Sequence, residues 1–400
     1  PSWPVRYSGV DFALTDEQQD LRAELRQYFQ DLLTPEMQAQ LWADEMGGPV
    51  WKQAVKQIAA DGWLGIGWPK EYGGQDRSPI EQLIFFDEAQ RAEAPVPMLS
   101  INTVGPTIMR FGTEDQKNRF LPGILAGDLN FAIGYTEPGS GTDLASLKTK
   151  AVRDGDEYVV NGQKIYTSLA MAADYVWLAA RTDPDAPRHK GISIFLMPTD
   201  TPGFTVQPLN IMGGADTTAT FYEDVRIPVA NRVGEENAGW GLITSQLNYE
   251  RVAICNAGLI WRYLEEVTHW AKATQTADGD HVIDEQWVQL GLARVRAKAE
   301  VLQLMNWKVA YGLTVGDLSP ADASATKVFG THSYIECLGI LMEIMGPISY
   351  LKAGSTDVLL RGRIERSYQG ILVLTFGGGT NEIQRDIIAM LGLGMPRAPR

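Results

Sequence analysis

The chain has 400 residues, of which 44% are apolar and 21% charged. That length suits two or three domains rather than one small core, and the apolar share excludes a disordered chain. A formal net charge of −14 excludes the basic face of a nucleic-acid binder, so an anionic ligand must be held by local groups against the field of the whole chain.

Residues 1 to about 130 read as helical. Thr15 followed by Asp16 and Glu17 is a helix start, and LRAELRQYFQDLL carries apolar residues at helical spacing. GWLGIGWPKEYGG (62–74) breaks the pattern with glycines and a proline. Helix resumes at SPIEQLIFFDEAQRAEA, with Ser78 as cap and Pro79 at the first helical position, and a short helix fits TEDQKNRFLPGILAG. From 131 to 236 the segments become short, alternating and β-branched, which predicts an antiparallel β domain with Trp177, Phe195 and Phe221 in its core. Asn161-Gly162 between two such runs predicts a hairpin turn.

From about 237 the pattern is helical to the end. Residues 240–275 read as one long helix, DEQWVQLGLARVRAKAEVLQLMNWKVAYG as a second, and SPADASATKVFGTHSYIECLGILMEIMG as a third, capped by Ser319 before Pro320. The last follows the glycines of FGGGTNEIQRDII, with Thr380 as its cap. Cys255 and Cys337 lie far apart and the four histidines are scattered, so neither a disulfide framework nor a structural zinc site is expected. No apolar run reaches the ~18 residues of a membrane span. The opening residues lack the basic-then-apolar layout of a secretory leader, and the expected setting is cytoplasmic.

Four segments could carry chemistry. In IGYTEPGSGTDLAS (133–146), glycines allow close backbone approach and hydroxyls and amides can meet phosphate oxygens, although a plain glycine-rich turn fits the same residues. In GQKIYTSLA (162–170), Tyr166 could lie against a flat ligand with Thr167 and Ser168 beside it; a strand with a core aromatic fits too. Glu250 follows Ile243 and Leu247 and precedes Ile254 in 4-3-4 spacing, which puts a carboxylate on an apolar helical stripe. Desolvation there would raise its pKa toward what a general base for a weakly acidic carbon needs; a salt bridge to Arg251 or to an arginine on another helix is the other reading. Finally, three glycines ahead of the last helix leave amides free for an anion or oxyanion.

These residues, with GWPKEYGG, PTIMRFGTEDQKNRFLPGILAGD, YTEPGSGTD, NGQKIYTS and GGTNEIQRDII in one order, resemble the acyl-CoA dehydrogenase family over nearly the whole chain. The resemblance implies an α+β fold: an N-terminal helical domain (1–130), a middle antiparallel β-barrel domain with the flavin contacts (131–236) and a C-terminal four-helix bundle (237–400). It implies FAD, an acyl-CoA thioester substrate, removal of hydrogen from Cα and Cβ, and an electron-transfer flavoprotein or similar acceptor. Carried over, Tyr135, Thr136, Gly141 and Thr142 hold the isoalloxazine edge and pyrophosphate, Tyr166, Thr167 and Ser168 flank the ring, and Thr380 and Glu382 approach the cofactor from the same subunit. Amides at Gly378 or Gly379 would polarise the thioester carbonyl together with a ribityl hydroxyl of the cofactor.

Two departures from the family pattern narrow the reading. Most members carry the base as a glutamate just before the closing Gly-Thr, where this chain has Gly378; a minority place it on the helix that here carries Glu250, and NYERVA matches them. The Arg-x-x-Phe-Gly element that members donate across a dimer interface is replaced by TADGDHVIDEQWV (276–288), and their Gln-x-x-Gly-Gly element by EIMGPIS, with Glu343 and Pro347 at the changed positions. Acids beside a pyrophosphate are unfavourable by roughly a kcal/mol at short range. A homodimer would therefore hold the cofactor poorly, and a related subunit is expected to supply the missing elements. The pattern resembles the base-bearing subunit of actinobacterial α2β2 acyl-CoA dehydrogenases for steroid side chains, which implies a cholesterol-type side-chain CoA as substrate. A non-catalytic partner subunit and an acyl-CoA oxidase are the alternatives.

Overall fold

The computed structural model of the chain describes residues 13–43, 47–212 and 216–397; of residues 43, 216 and 247–254 it describes the backbone alone. Six helices come first: α1 (Asp16–Leu32), α2 (Pro35–Ala43), α3 (Pro49–Ala60), α4 (Pro79–Ala92), α5 (Gly105–Phe111) and α6 (Glu114–Leu125). Thr15, Ser78 and Thr113 open α1, α4 and α6 as capping boxes, each accepting from the third residue of its helix while that residue's side chain returns a bond. Leu21, Leu25 and Phe29, one turn apart, bury the inner face of α1. The glycine-rich break at 62–74 forms two short 3-10 turns, Trp63–Gly65 and Lys70–Tyr72. Gly74 is required there, since a Cβ would sit 2.0 Å from the carbonyl oxygen of Trp68.

Eight strands follow: β1 (Phe131–Gly134), β2 (Lys150–Asp154), β3 (Glu157–Ile165), β4 (Tyr175–Arg181), β5 (Ile192–Pro198), β6 (Phe204–Asn210), β7 (Asp216–Pro228) and β8 (Arg232–Val233). They join in the order β6-β7-β3-β2-β4-β5-β8. The pairs are antiparallel except that β1 and β2 both run parallel to β4. The chain passes through the β2–β3 hairpin between β1 and β4, and so returns to β1 in the same direction. β4 and β5 are continuous apolar runs because both their faces are covered. Trp177, Ala179, Ile194 and Leu196 join the core of the N-terminal helices, while Val176, Leu178, Phe195 and Met197 pack with Tyr158, Tyr222 and Ile227 inside the sheet. Phe221 is only half-buried; its neighbour Tyr222 takes the inward position.

The hairpin expected at Asn161-Gly162 is not there. β3 runs straight through both residues, and the turn lies earlier, at Gly155-Asp156, closed by the pair Asp154–Glu157. Asn161 and Gly162 form a bulge against β7, where Asn161 donates to Asp224 Oδ1 at 2.9 Å and accepts from the Asp224 amide at 3.0 Å. Gly162 is needed for close approach, since a Cβ would meet Thr149 Oγ1 at 2.5 Å.

The C-terminal part holds α7 (Gly239–Ile254), α8 (Gly258–Ala273), α9 (Gln286–Thr314), α10 (Pro320–Met345), α11 (Arg363–Ile371) and α12 (Asn381–Ile387). α8, α9 and α10 share one core, with Tyr263, Val295, Leu302, Tyr334 and Leu341 fully buried. The single helix expected over 240–275 is two helices, broken at residues 255–257. Buried side chains take up the carbonyls freed by the break: Asn306 Nδ2 donates to Cys255 O at 2.7 Å and the Tyr334 hydroxyl to Asn256 O at 2.5 Å. Asn256 Oδ1 accepts from the Gly258 amide and so starts α8. Among the described residues no helix is long and apolar enough to cross a membrane.

Candidate functional site

The loop after β1 is organised by one buried ion pair. Glu137 lies under the Glu137–Ser140 turn and is 7% exposed, and Lys164 of β3 is fully buried. Lys164 Nζ donates to Glu137 Oε1 at 2.8 Å and to the Tyr135 carbonyl at 3.0 Å. The Glu137 carboxylate also accepts from the amides of Lys148 at 2.6 Å and Thr149 at 2.8 Å. Burial drives the Glu137 pKa up, but the Lys164 charge and these hydrogen bonds outweigh it, and the net shift is below the usual carboxylate range. Burial lowers Lys164 to about 8 against the pull of Glu137. Neither residue stands out in sequence as a site residue. The available signal is a lysine at the inward parity of a strand whose other inward residues, Tyr158 and Val160, are core.

The pair presents the expected ligand loop. The Thr136 carbonyl accepts from the Ile165 amide at 2.9 Å, which brings the 135–142 and 166–168 segments side by side. A Cβ at Gly139 would meet nothing within 4 Å and one at Gly141 only Thr136 Cγ2 at 3.9 Å, so the loop surface is open. Gly141 and Thr142 are exposed, and among the described residues their amides donate to no protein acceptor. Tyr166 is 60% exposed and held at a φ of 59°, a left-handed conformation that an aromatic residue rarely adopts and that functional sites concentrate. Ser168 is exposed beside it, with Oγ 3.0 Å from Thr217 Oγ1. Thr167 points the other way: it is fully buried, 3.3 Å from the Thr220 hydroxyl. An open rim of amides, a hydroxyl and an exposed aromatic ring fit a flat cofactor with a diphosphate.

Tyr135 connects this loop to the C-terminal helices. Its ring is buried; its hydroxyl accepts from Trp177 Nε1 at 2.9 Å and donates to Gln246 Oε1 at 2.6 Å. Gln246 is on α7, buried, with Nε2 lacking a partner among the described residues. Glu250 falls one turn further along α7; its side chain lies outside the described residues. At the end of α7, Cys255 Sγ approaches the Lys327 carbonyl of α10 at 4.0 Å, and a Cβ on Gly330 would touch Cys255 Cβ at 2.6 Å. Both cysteines are buried and free, and burial pushes their thiols up to about 12.

The glycine run lies on the other side of that contact. Gly378 and Gly379 have φ values of 68° and 91°, a backbone that favours glycine. Thr380 caps α12, accepting from the Ile383 amide at 3.2 Å. Glu382 faces solvent, 82% exposed, with Arg385 4.0 Å away. Lys327 Nζ donates to Gly379 O and Asn381 Oδ1, each at 2.8 Å. Through Lys327 and Cys255, the glycine run and the helix of Glu250 are neighbours. The two elements read as lost come together at one end of the bundle, where a Cβ on Gly291 of α9 would lie 3.1 Å from Ile344 Cδ1 of α10. The 276–285 segment is a turn closed by the Thr276 amide donating to Asp280 O at 2.8 Å, and Glu343 is exposed near the end of α10.

Family models match in chain order: "Acyl-CoA dehydrogenase, N-terminal domain" over residues 15–128, "middle domain" over 132–225 and "C-terminal domain" over 237–393. The chain is 57% identical to acyl-CoA dehydrogenase FadE26 of Mycobacterium tuberculosis, over 96% of this chain and 99% of that one. Its structure resembles the ChsE4-ChsE5 complex from Mycobacterium tuberculosis with a TM-score of 0.91 and 57% identity, covering 97% of this chain and 100% of that chain. It resembles the Tcur3481-Tcur3483 steroid ACAD with a TM-score of 0.91 and 50% identity, covering 97% and 100%. With all three family domains matched in order along one chain, this protein belongs to the acyl-CoA dehydrogenase family, oxidoreductases acting on CH–CH groups.

Proposed function

We propose that this chain is the base-bearing subunit of a heteromeric, FAD-dependent acyl-CoA dehydrogenase that introduces an α,β double bond into a bulky acyl-CoA, of the steroid side-chain class. The observation that carries it is the hydrogen bond from Tyr135 to Gln246, which ties the ligand loop to α7 one turn before Glu250. Glu250 takes the Cα proton. The amides of the glycine run stabilise the negative charge that develops on the thioester oxygen. The open rim of Gly141, Thr142, Tyr166 and Ser168 holds the FAD. The redox chemistry would come from FAD held there, as the acceptor of the hydride lost from Cβ. Gly378 in place of a glutamate removes a side chain where most members carry the base, which suits a bulky, ring-bearing acyl group. The steroid class rests on the relatives, one of which is named a steroid ACAD.

The partner is a homologous subunit. The outer face of α9 supports this: Trp287, Leu290, Val301, Leu304 and Tyr311 follow one another at spacings of three, eleven, three and seven, which keeps them on one side of the helix, and are each between 44% and 60% exposed. An apolar stripe of that length marks an interaction surface. The acids of 276–288 and Glu343 leave the donated half of a cofactor site to the partner's contribution.

The test is Glu250→Gln in the complex co-expressed with its partner subunit. We expect flavin content to stay near one FAD per pair of unlike chains, and turnover to fall by about a hundredfold or more, the scale of losing a general base. Full turnover with bound FAD would assign the base elsewhere. A wild-type chain that purifies alone as a fully FAD-loaded homodimer would remove the heteromer.

A further inference from the structure

Lys327 is fully buried on α10, and lysines are almost never buried without strong partners. Its ammonium is aimed at the glycine run, with Gly379 O and Asn381 Oδ1 each at 2.8 Å and Thr375 O at 3.4 Å. Asn381 is fixed in turn, its Nδ2 donating to Thr331 Oγ1 at 3.0 Å. From α12, the fully buried Gln384 donates Nε2 to Gly378 O at 3.2 Å, and the same atom fills the space a Cβ on Gly379 would need, 2.7 Å away. Two successive peptides of the run are therefore gripped by their carbonyls, one from each side chain.

In a trans peptide the N–H points opposite to the C=O. Fixing the Gly378 carbonyl on Gln384 turns the Gly379 N–H away from α12, and fixing the Gly379 carbonyl on Lys327 turns the Thr380 N–H away from α10. Three glycines in a row would otherwise sample many orientations, and amide donors stabilise a developing charge only when held beforehand. The ammonium also polarises the Gly379–Thr380 peptide, which strengthens its N–H as a donor. We propose that Lys327 and Gln384 form a clamp that positions the amides of Gly379 and Thr380, at the end of the glycine run, toward the thioester oxygen. They act through the backbone and are positioning residues. The proposal rests on the function proposed above, in which Glu250 takes the proton and backbone amides meet the thioester oxygen.

The experiment uses the FAD-loaded complex carrying Lys327→Met, Lys327→Arg or Gln384→Met. Two quantities are read beside thermal stability: the split between kcat and KM, and the pKa at which bound acetoacetyl-CoA ionises to its enolate, followed by absorbance. The expected result for Lys327→Met is kcat lower by about ten- to a hundredfold with KM changed less than about threefold, and the enolate pKa raised. Gln384→Met leaves the buried charge paired and should move both readouts in the same direction by less. Lys327→Arg, which keeps the charge, should recover part of the loss. If Lys327→Met does not fold, Gln384→Met decides. A folded variant with lower stability but unchanged enolate pKa and kcat would reduce the clamp to a packing feature and overturn the proposal. Failure of the underlying reading looks different, because Glu250→Gln would then turn over normally whatever the clamp variants do.

Discussion

Glu137 and Lys164 tie three segments together at one point: the start of the ligand loop through Tyr135, its end through Lys148 and Thr149, and the middle of the sheet through β3. Removing one partner leaves the other charged and buried, which costs far more than the pair contributes net. Lys164→Met should therefore lower unfolding free energy by about 3–5 kcal/mol, read as a drop in the urea midpoint, and should release flavin before the protein unfolds. Lys164→Met with Glu137→Gln should recover much of the urea midpoint. The acid limb has a definite sign. The folded pKa of Glu137 is depressed below its ordinary 4.5, so its contribution is complete above that value and is lost as the pH falls through the folded pKa. Residue types in the sequence marked the 133–146 and 162–170 segments, the resemblance named Gly141, Thr142, Tyr166 and Ser168 within them, and the structure leaves these four on the surface. Residue types did not mark the pair beneath them, since a contact between two residues on separate segments leaves no periodic trace. Thr167 shows the same limit: its inward turn follows from the positive φ of Tyr166, which no residue type announces.

At the level of elements, caps and apolar periodicity were legible and breaks were not. Thr15, Ser78, Ser319 and Thr380 each cap the helix they were expected to cap, because a short polar side chain before a periodic run satisfies amides that nothing else can reach. The interruption between α7 and α8 has no local signal because its cause is tertiary. A buried carbonyl can leave a helix only where a donor waits for it, and Asn306 and Tyr334 sit on α9 and α10. Asn161-Gly162 misled for a related reason, since the pair favours a bulge as readily as a turn, and Asp224 on the neighbouring strand decides between them. On the proposed role of Glu250 the break would bear on catalysis, because it sets where α7 ends relative to α10. Asn306→Ala removes the donor to Cys255 O and leaves a buried carbonyl unpaired, a loss of about 1–3 kcal/mol. Chemical denaturation should report that loss. Turnover should fall as well, since Glu250 lies little more than a turn before the released carbonyl; an unchanged kcat would mean that the end of α7 is fixed by other contacts.

Across the whole molecule, the helical, strand and helical order was readable from texture alone, but the contacts that hold the N-terminal helices against the C-terminal ones were not. α4 is the hub. Glu88 takes Arg26 of α1 at 2.6 Å, while Glu93 just past its end takes Arg262 of α8 and Arg363 of α11, each at 3.3 Å. Asp87, next to Glu88 in α4, lines a cavity of about 20 Å³ together with Arg22, Glu88 and Asn306. Burial raises its pKa from 3.8 to about 7, the charge of Glu88 adds to the rise, and Arg91, the Gly258 amide and Arg26 offset it only in part. The folded chain therefore holds this proton up to about pH 7, whereas the unfolded chain releases it near 3.8. Between those values the folded state binds more protons, so this group's contribution to stability falls as the pH rises, and it is flat above. Asn in that place keeps the shape of the protonated acid and cannot ionise. Asp87→Asn should thus melt higher than the wild type at about pH 8, and the gain should shrink toward zero as the pH is lowered to about 4. A gain that is constant across that range would come from packing instead, and a loss at high pH would mean that the Asp87 carboxylate is the partner Arg91 needs to hold α4 against α8.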